Sequence, residues 1–405
     1  MRTKARFTVA SLNMRGFRQT TSDSSAGKWL FVNQLVRDKR IGVLAVQETH
    51  LDERRAEMIR DLFGQHLDLF YSADEANATG ARGVAFVVNK RIVPARLCTH
   101  KVVVPGRALL LNFEWSAGKK ISMMNVYGPN DRGESTAFWS RILEANTGRV
   151  DVLLGDFNLV ESADDRLPQK GDPEAPTASL QNLLRDKQLI DGWRLANAGK
   201  RAFTYLQTST GSQSRIDRIY ARRSMEKDLD NWAIMEAGLP TDHKMVTVEV
   251  SNQQAPFVGK GRWTMPLHIL NDDVACKQMR NLAVEFMAEL DGLRDRTESS
   301  NPQLVYASFK SKLIAAIRQR TKEKVSKMDK RLRNLRDGLH SVLNPPGAGE
   351  QPLSEEALRT AALIQERISV LETKRFDTTR KQVMAKNWSH GETIGKYWLR
   401  CNAPL

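Results

Sequence analysis

The chain has 405 residues, 41% of them hydrophobic, with a formal net charge of +15 and a pI near 9.8. That length exceeds one average domain, and the charge calls for a polyanionic partner while saying nothing of the fold. Three dispersed cysteines (Cys98, Cys276, Cys401) argue against a disulfide framework or a zinc site, and no apolar run reaches membrane-spanning length, so a soluble intracellular protein is expected.

In chain order, residues 6–13 alternate apolar and polar side chains as a strand ending at Asn13. Ser24 and Ser25 precede Trp29, Leu30, Val32, Leu35 and Val36, spaced for an amphipathic helix with an N-cap ahead of it. The run Ile41 to Val46 predicts a second strand, delivering Glu48 at its far end, and residues 52–63 read as a helix. From about 66 to 127 the pattern is strands punctuated by turns, clearest over Gly83–Val88, Ala108–Phe113 and Ile121–Tyr127. A helix over Glu134–Glu144 precedes Val150 to Leu154, a short apolar run that predicts a strand buried on both faces. Asp156 and Asn158 lie just past it. Ala202–Leu206 and Arg215–Tyr220 flank Gly211 and read as a hairpin. Met245–Val250 predicts the last strand, entered through Thr241-Asp242-His243.

The pattern changes at the polar stretch 251–256. Leu313, Ile317, Val325, Met328, Leu332, Leu335, Leu339 and Val342 step by threes and fours, Asn344-Pro-Pro-Gly stops the helix, and Leu358, Ile364, Ile368 and Leu371 resume the step. Two helices joined by that loop would pack antiparallel as a short coiled coil. Between Lys310 and Arg336 eleven Lys or Arg stand against two acidic residues, and residues 256–405 hold 26 basic and 17 acidic side chains. An ordinary solvated helix face explains that excess as well as phosphate contact does.

The groups at predicted strand ends are Asn13, Glu48, Tyr127, Asp156, Asn158, Asp217, Asp242 and His243. Each alone has a plain structural explanation, such as a turn-capping Asp or a solvated Glu. Together they match what phosphodiester hydrolysis requires. A hard divalent cation takes oxygen ligands and keeps several waters; Glu48 is the first candidate ligand, with Asp242 and Asn13. Asp156 is the candidate base for the attacking water. Tyr127, Asn158 and a protonated His243 are candidate donors to the phosphoryl oxygens, and Asp217 is the carboxylate that would orient the imidazole.

The phrases Ser-Leu-Asn-Met-Arg-Gly16, Gln-Glu-Thr-His50, Asn-Val-Tyr-Gly-Pro-Asn130, Gly-Asp-Phe-Asn158, Arg-Ile-Asp-Arg218 and Thr-Asp-His243 resemble, in order and spacing, the motifs of the endonuclease/exonuclease/phosphatase superfamily. The resemblance implies an α+β fold, a four-layer αββα sandwich over residues 1–251, with Mg²⁺ (Mn²⁺ as the alternative ion) at one edge. A basic α-helical extension over 252–405, with a helical hairpin at about 304–385, would follow it. Within the superfamily, Gln-Glu-Thr-His-Leu51, Tyr-Gly-Pro-Asn130 and Ser-Arg-Ile-Asp217 are most similar to the apurinic-type endonuclease of LINE-type (non-LTR) retrotransposons. Asn130 and Arg215 join Tyr127 and Asn158 as candidate substrate contacts.

That likeness implies a nuclear DNA endonuclease that nicks one strand of a duplex, leaving a 3′ hydroxyl to prime reverse transcription. RNA is a second candidate partner through the extension, and oligomeric state is left open. Gly-Lys-Gly-Arg-Trp263 and Lys-Tyr-Trp-Leu-Arg400 resemble the linker that precedes the polymerase in such proteins, so the chain is expected to be a fragment or a truncated copy of a longer product. An abasic-site endonuclease or other phosphoesterase, and a catalytically silent nucleic-acid-binding protein, are the alternatives.

The loop Gln207 to Ser214 matches a hairpin that enters the DNA groove in relatives, and it is predicted to tune target choice. Grafting a different loop here should redistribute nick sites without abolishing nicking; an unchanged nick pattern on a sequencing gel would sink this reading.

Overall fold

The computed structural model describes residues 5–17, 28–94, 97–116, 118–207, 210–239, 241–252, 265, 269–270, 272–293, 296–323, 327–345 and 353–391. Ser24, Ser25, Val325, most of the 251–256 boundary, most of the Asn344-Pro-Pro-Gly stop, the tip of the 207–214 loop and both linker-like phrases lie outside these residues.

Fifteen strands are described: β1 (Ala5–Asn13), β2 (Ile41–Gln47), β3 (Leu67–Ser72), β4 (Val84–Asn89), β5 (Thr99–Val104), β6 (Ala108–Trp115), β7 (Lys119–Tyr127), β8 (Val152–Asp156), β9 (Arg166–Leu167), β10 (Leu189–Asp191), β11 (Tyr205–Leu206), β12 (Gln213–Ser214), β13 (Asp217–Arg222), β14 (Leu229–Met235) and β15 (Met245–Asn252). They form a six-stranded sheet in the order β14-β15-β1-β2-β4-β3, a second in the order β10-β13-β8-β7-β6-β5, and a small sheet β11-β12-β9. Helices α1 (Trp29–Asp38) and α2 (Glu53–Phe63) follow strands of the first sheet; α3 (Arg132–Glu144), α4 (Glu174–Asp186) and α5 (Gly192–Ala196) belong with the second.

The alternation within strands explains the layering. On β1, Phe7 and Val9 enter the core between the sheets, whereas Ala10 and Leu12 join α1 and α2 in an outer core. On β8, Val152 and Leu154 face the inner core and Leu153 faces α3 and α4. An apolar run is what a strand covered on both faces demands, and each buried Val, Leu or Ile contributes roughly 1.5–3 kcal/mol. The result is the expected αββα sandwich.

Some elements differ from expectation. Lys28, not a serine, stands at the N-cap of α1, and it makes no side-chain cap. The segment 215–220 does not pair with 202–206. β11 pairs with β12, whereas β13 lies antiparallel to β8 in the second sheet. β13 is fully buried over Asp217–Ala221, and only the main sheet offers that cover. α4 escaped the sequence reading because Pro173 and Pro176 suggest a loop, yet both sit at its start, where a missing N–H is harmless.

Register then sets the site. β1 and β2 run parallel, with Asn13 beside Gln47. β7 and β8 run parallel, with Tyr127 beside Asp156, and β13 places Asp217 on the other side of Asp156. Gly155 has φ +146, and a Cβ there would lie 1.9 Å from the Val126 carbonyl oxygen. Only glycine allows β8 to approach β7 this closely just before Asp156.

Contact density divides the chain into two compact units, one of Met1–Arg2 with Val258–Asn334 and one of Thr3–Phe257 with Leu335–Leu405. In the first, α6 (Asp273–Asp291) packs on α7 (Pro302–Glu323) around Ile269, Ala275 and Ile317, and Asp272 both caps α6 and pairs with Arg320. The boundary between the units falls inside α8 (Lys327–Leu343). In the second unit the end of α8 and α9 (Glu355–Gly391) are joined by the Arg336–Glu372 ion pair. Ala361, Gln365, Ile368 and Glu372 form one buried stripe of α9. Gln365 accepts from Lys244 and donates to Glu236, both at 2.6 Å, and Asn344 accepts the Arg201 backbone N–H at 2.8 Å. Among the described residues, no helix is long and apolar enough to cross a membrane.

One polar bridge crosses the inner core behind the site. Gln47 donates to Asn125 Oδ1 at 2.7 Å, and Asn125 donates to the Val46 and Ala85 carbonyls at 3.0 and 2.9 Å. Asn125→Leu would strand Gln47 and those carbonyls, at a cost of about 2–4 kcal/mol. Urea unfolding should show this, with Gln47→Leu added to Asn125→Leu recovering part of the loss; a change below about 1 kcal/mol for the single variant would show that the bridge does not hold the sheets.

Candidate active site

At the edge where β1, β2, β7 and β8 end, β13 and β15 begin. The strands do not share one direction there; two antiparallel strands contribute their starts, and the convergence is the same. Asn13 is fully buried between two carboxylates, and its Nδ2 donates to Glu48 Oε1 and to Asp156 Oδ2, each at 2.8 Å. Its Oδ1 accepts the Arg15 backbone N–H at 2.9 Å. With its amide group turned to both acids, Asn13 spaces the carboxylates.

His243 Nδ1 lies 2.9 Å from Asp217 Oδ2, and its Nε2 is 4.0 Å from Asp242 Oδ1. Burial alone would push this imidazole down, but Asp217 beside it, with Asp156 and Asp242 behind, raises it to about 10. It is therefore a cation at neutral pH. Asp156 is fully buried; burial and the Asp217 charge raise it to about 7, against the pull of His243 and the Asn13 and Asn158 donors. Burial first, then the Glu48 and Asp156 charges, raise the Tyr127 hydroxyl, so it stays protonated; its partner is Glu48. Arg107 stacks over the Tyr127 ring at 5.5 Å and donates to its carbonyl.

Asn158 donates its backbone N–H to Asp156 Oδ1 at 3.0 Å and its side-chain amide to the Gly128 carbonyl at 2.9 Å, which joins the ends of β7 and β8. Asp242 pairs with Arg15 at 3.0 Å. Asn130 is exposed on the loop between β7 and α3. Arg15, Glu48 and Asn158 all have φ near +50, a conformation that costs non-glycine residues energy and concentrates at functional sites.

Arg215 is not part of this constellation. Its side chain is buried, with bonds of 2.7 and 2.9 Å to Asp165 and a 2.7 Å ion pair to Asp191. Against the upward push of burial, Arg218, Arg215 and Arg194 hold the Asp165 carboxyl down to about 2. Such a guanidinium is committed to the core and cannot meet a substrate. The candidate contact is withdrawn.

Several supporting groups had no structural role assigned from the sequence. Thr204 Oγ1 accepts the backbone N–H groups of Ile216 and Asp217 at 3.1 and 3.0 Å, setting the start of β13. Thr241 Oγ1 donates to the Asn13 carbonyl at 2.9 Å, tying the histidine loop to β1. The Tyr205 ring packs 4.9 Å from the His243 ring. Lys28 donates to the Met14 and Arg15 carbonyls at 2.6 and 2.8 Å; burial, then the Arg15 charge, lowers it to about 8. Thr241 stands in the Thr-Asp-His243 phrase, whereas Thr204, Tyr205 and Lys28 sit in no motif, so only tertiary contact reveals them.

Residues 10–243 match the profile of the Endonuclease/Exonuclease/phosphatase family. The chain belongs to that family. It is 34% identical over 188 residues, 44% of its length, to the Transposon TX1 uncharacterized 149 kDa protein of Xenopus laevis, and the match spans only 14% of that relative. Among solved structures, the AP endonuclease LMAP from Leishmania major shares the fold, with 15% identity and a TM-score of 0.51 over 61% of this chain and 88% of that one. The endonuclease domain of TRAS1, a telomere-specific non-LTR retrotransposon, aligns at 16% identity and a TM-score of 0.45, over 62% of this chain and all of that domain.

The family works with divalent metal ions, and the donor set here suits one. Glu48 and Asp242 offer carboxylate oxygens, and Asp242 Oδ1 and Asp217 Oδ1 are buried without hydrogen-bond partners. Ligand atoms of Asp156, Asp217 and His243 also lie within 4.8 Å of one another. A metal bound to His243 Nδ1 in that triad would have to expel the proton shared with Asp217.

The histidine–aspartate pair makes a titration prediction. A histidine raised above its unfolded pKa adds stability that is complete below about 6.5 and is lost as pH rises through about 10. His243 should stay charged through pH 8 by NMR, and Asp217→Asn should lower its midpoint by on the order of one to three pH units. A wild-type midpoint near 6.5 would show that Asp217 does not hold the proton.

Proposed function

We propose that the chain is a Mg²⁺-dependent DNA endonuclease that nicks one strand of a duplex and leaves a 3′ hydroxyl for target-primed reverse transcription in the nucleus. The observation that carries this reading is the buried Asp156 carboxylate, lying between the Asn13–Glu48 pair and the Asp217–His243 pair. Burial holds its pKa near neutrality, where a base both takes and releases protons readily.

Asp156 takes the proton of the attacking water. Oxygen adds to phosphorus in line with the 3′ oxygen, and the bond from phosphorus to that oxygen breaks. The His243 imidazolium, the Tyr127 hydroxyl and the free amide N–H of Asn158 donate to the phosphoryl oxygens as charge gathers on them, worth several kcal/mol in a water-poor site. Asp217 keeps the imidazole charged and oriented. Glu48 and Asp242 would hold Mg²⁺, or Mn²⁺ in its place, which when bound polarises the phosphoryl group and stabilises the departing alkoxide. Asn130, exposed at the rim, contacts the flanking strand. The nuclease occupies residues 1–251, and the basic extension 252–405 adds nonspecific contact with DNA or RNA phosphates.

The relative from Xenopus laevis is a transposon protein far longer than this match, which supports the retrotransposon setting. A supercoiled-plasmid assay should show nicked circles with Mg²⁺ and none in EDTA. Glu48→Ala and His243→Ala should each lower the rate at least about a hundredfold. Cutting confined to abasic DNA would replace this reading with that of a repair-type enzyme. Tight DNA binding without cleavage would leave only a binding protein.

A further inference from the structure

Next to Asp242 stands a cation that the reaction above does not use. Arg15 has φ +50 and Gly16 φ +79, so β1 ends in a tight left-handed turn. Four hydrogen bonds fix that turn. The Arg15 N–H donates to Asn13 Oδ1 at 2.9 Å, Lys28 Nζ donates to the Met14 and Arg15 carbonyls at 2.6 and 2.8 Å, and the Gly16 N–H donates to the Glu48 carbonyl at 2.9 Å. The turn aims the Arg15 side chain across the mouth of the site, where Nη1 meets Asp242 Oδ2 at 3.0 Å.

The side chain of Arg15 is 66% exposed and that of Asp242 17%. An ion pair so open to solvent contributes little to stability, and a non-glycine residue held at positive φ is strained. The four hydrogen bonds hold the backbone of the turn, and stability does not account for a guanidinium at its tip. Presentation of a cation does: among the described residues 14–17 Arg15 alone is exposed, and its guanidinium reaches solvent beside Asp242.

We propose that Arg15 binds a phosphate of the DNA strand being cut, leaving Asp242 as that phosphate arrives. This rests on the nuclease reading and assigns to it a contact on the substrate backbone. The planar guanidinium suits two phosphate oxygens at once, and its weak, exposed bond to Asp242 is cheap to exchange. Neutralisation of Asp242 by a divalent cation would favour the same exchange, since the cation takes over the carboxylate and repels the guanidinium.

The test is DNA affinity by fluorescence anisotropy from 50 to 200 mM salt in Mg²⁺, in a Glu48→Gln background that does not cut. Arg15→Ala should weaken binding about tenfold at the lowest salt and reduce the slope of log affinity against log salt by about 0.9. Arg15→Lys should keep the slope and recover only part of the affinity. Unchanged slope and affinity in Arg15→Ala, with circular dichroism confirming the fold, would overturn the proposal even if nicking falls, because a residue that merely holds Asp242 alters the Mg²⁺ requirement and not the phosphate count. Absence of salt-dependent DNA binding by the parent protein would overturn it too. If the wild type binds DNA but never nicks, the nuclease reading fails while the salt slope still decides the role of Arg15.

Discussion

The amide group of Asn13 joins the two halves of the sandwich at the edge where the candidate catalytic groups meet. Asn13 closes β1 in the first sheet, and Asp156 closes β8 in the second; one nitrogen donates to Asp156 and to Glu48, each at 2.8 Å. Two carboxylates that would repel are thus held at a fixed spacing by shared protons. The Gln47–Asn125 bond crosses the core one layer deeper, at 2.7 Å. A core of apolar side chains alone lets two sheets slide by fractions of an ångström with little penalty; directional bonds between them do not. The relative position of Glu48 and Asp156 is therefore set by these two bridges rather than by packing.

Charge at the site is balanced locally, although the chain as a whole is strongly basic. Four carboxylates meet in one hollow, and Asp156, buried beside the Asp217 charge, is raised. The counter-charges come from opposite sides: His243, held as a cation from below by Asp217, and Arg15, reaching in from the rim to Asp242. The first is buried and fixed, so it retains its charge through the reaction. The second is exposed and exchangeable. Burial separates a group that stabilises developing charge from one suited to receive a substrate.

What could be read from the sequence follows from which interactions are local. Strand ends are local, because an apolar run that stops at a polar residue announces both the strand and its terminus; Asn13, Glu48, Tyr127 and Asp156 are legible this way, His243 by the strand that follows it, and parallel or antiparallel register brings them together. Arg215 shows the limit. It stands two residues from Asp217 and carries the right charge, but its guanidinium is spent on Asp165, fifty positions away, and no pattern in the neighbourhood distinguishes a core arginine from a phosphate-binding one. The same holds for Thr204 and Lys28, whose roles are to satisfy backbone groups that only tertiary folding brings near. The 215–220 strand was assigned a hairpin partner by proximity in sequence, whereas its burial on both faces requires a place inside the main sheet.

The helices after the sandwich give a sharper instance of the difference between composition and contact. Their basic excess suggests a solvated tail. Yet α9 buries Ala361, Gln365, Ile368 and Glu372 on one face, and two of those four are polar. A helix that only needed cover would bury apolar residues there. Gln365 is instead matched to Lys244 and Glu236, joining a cation and an anion through a single amide. Lys244 directly follows His243, and Glu236 lies on the segment leading to Thr241. Directional polar contacts of this kind select one docking position over its neighbours, which an apolar stripe alone does not. The buried stripe of α9 is therefore part of the scaffold that fixes the histidine loop.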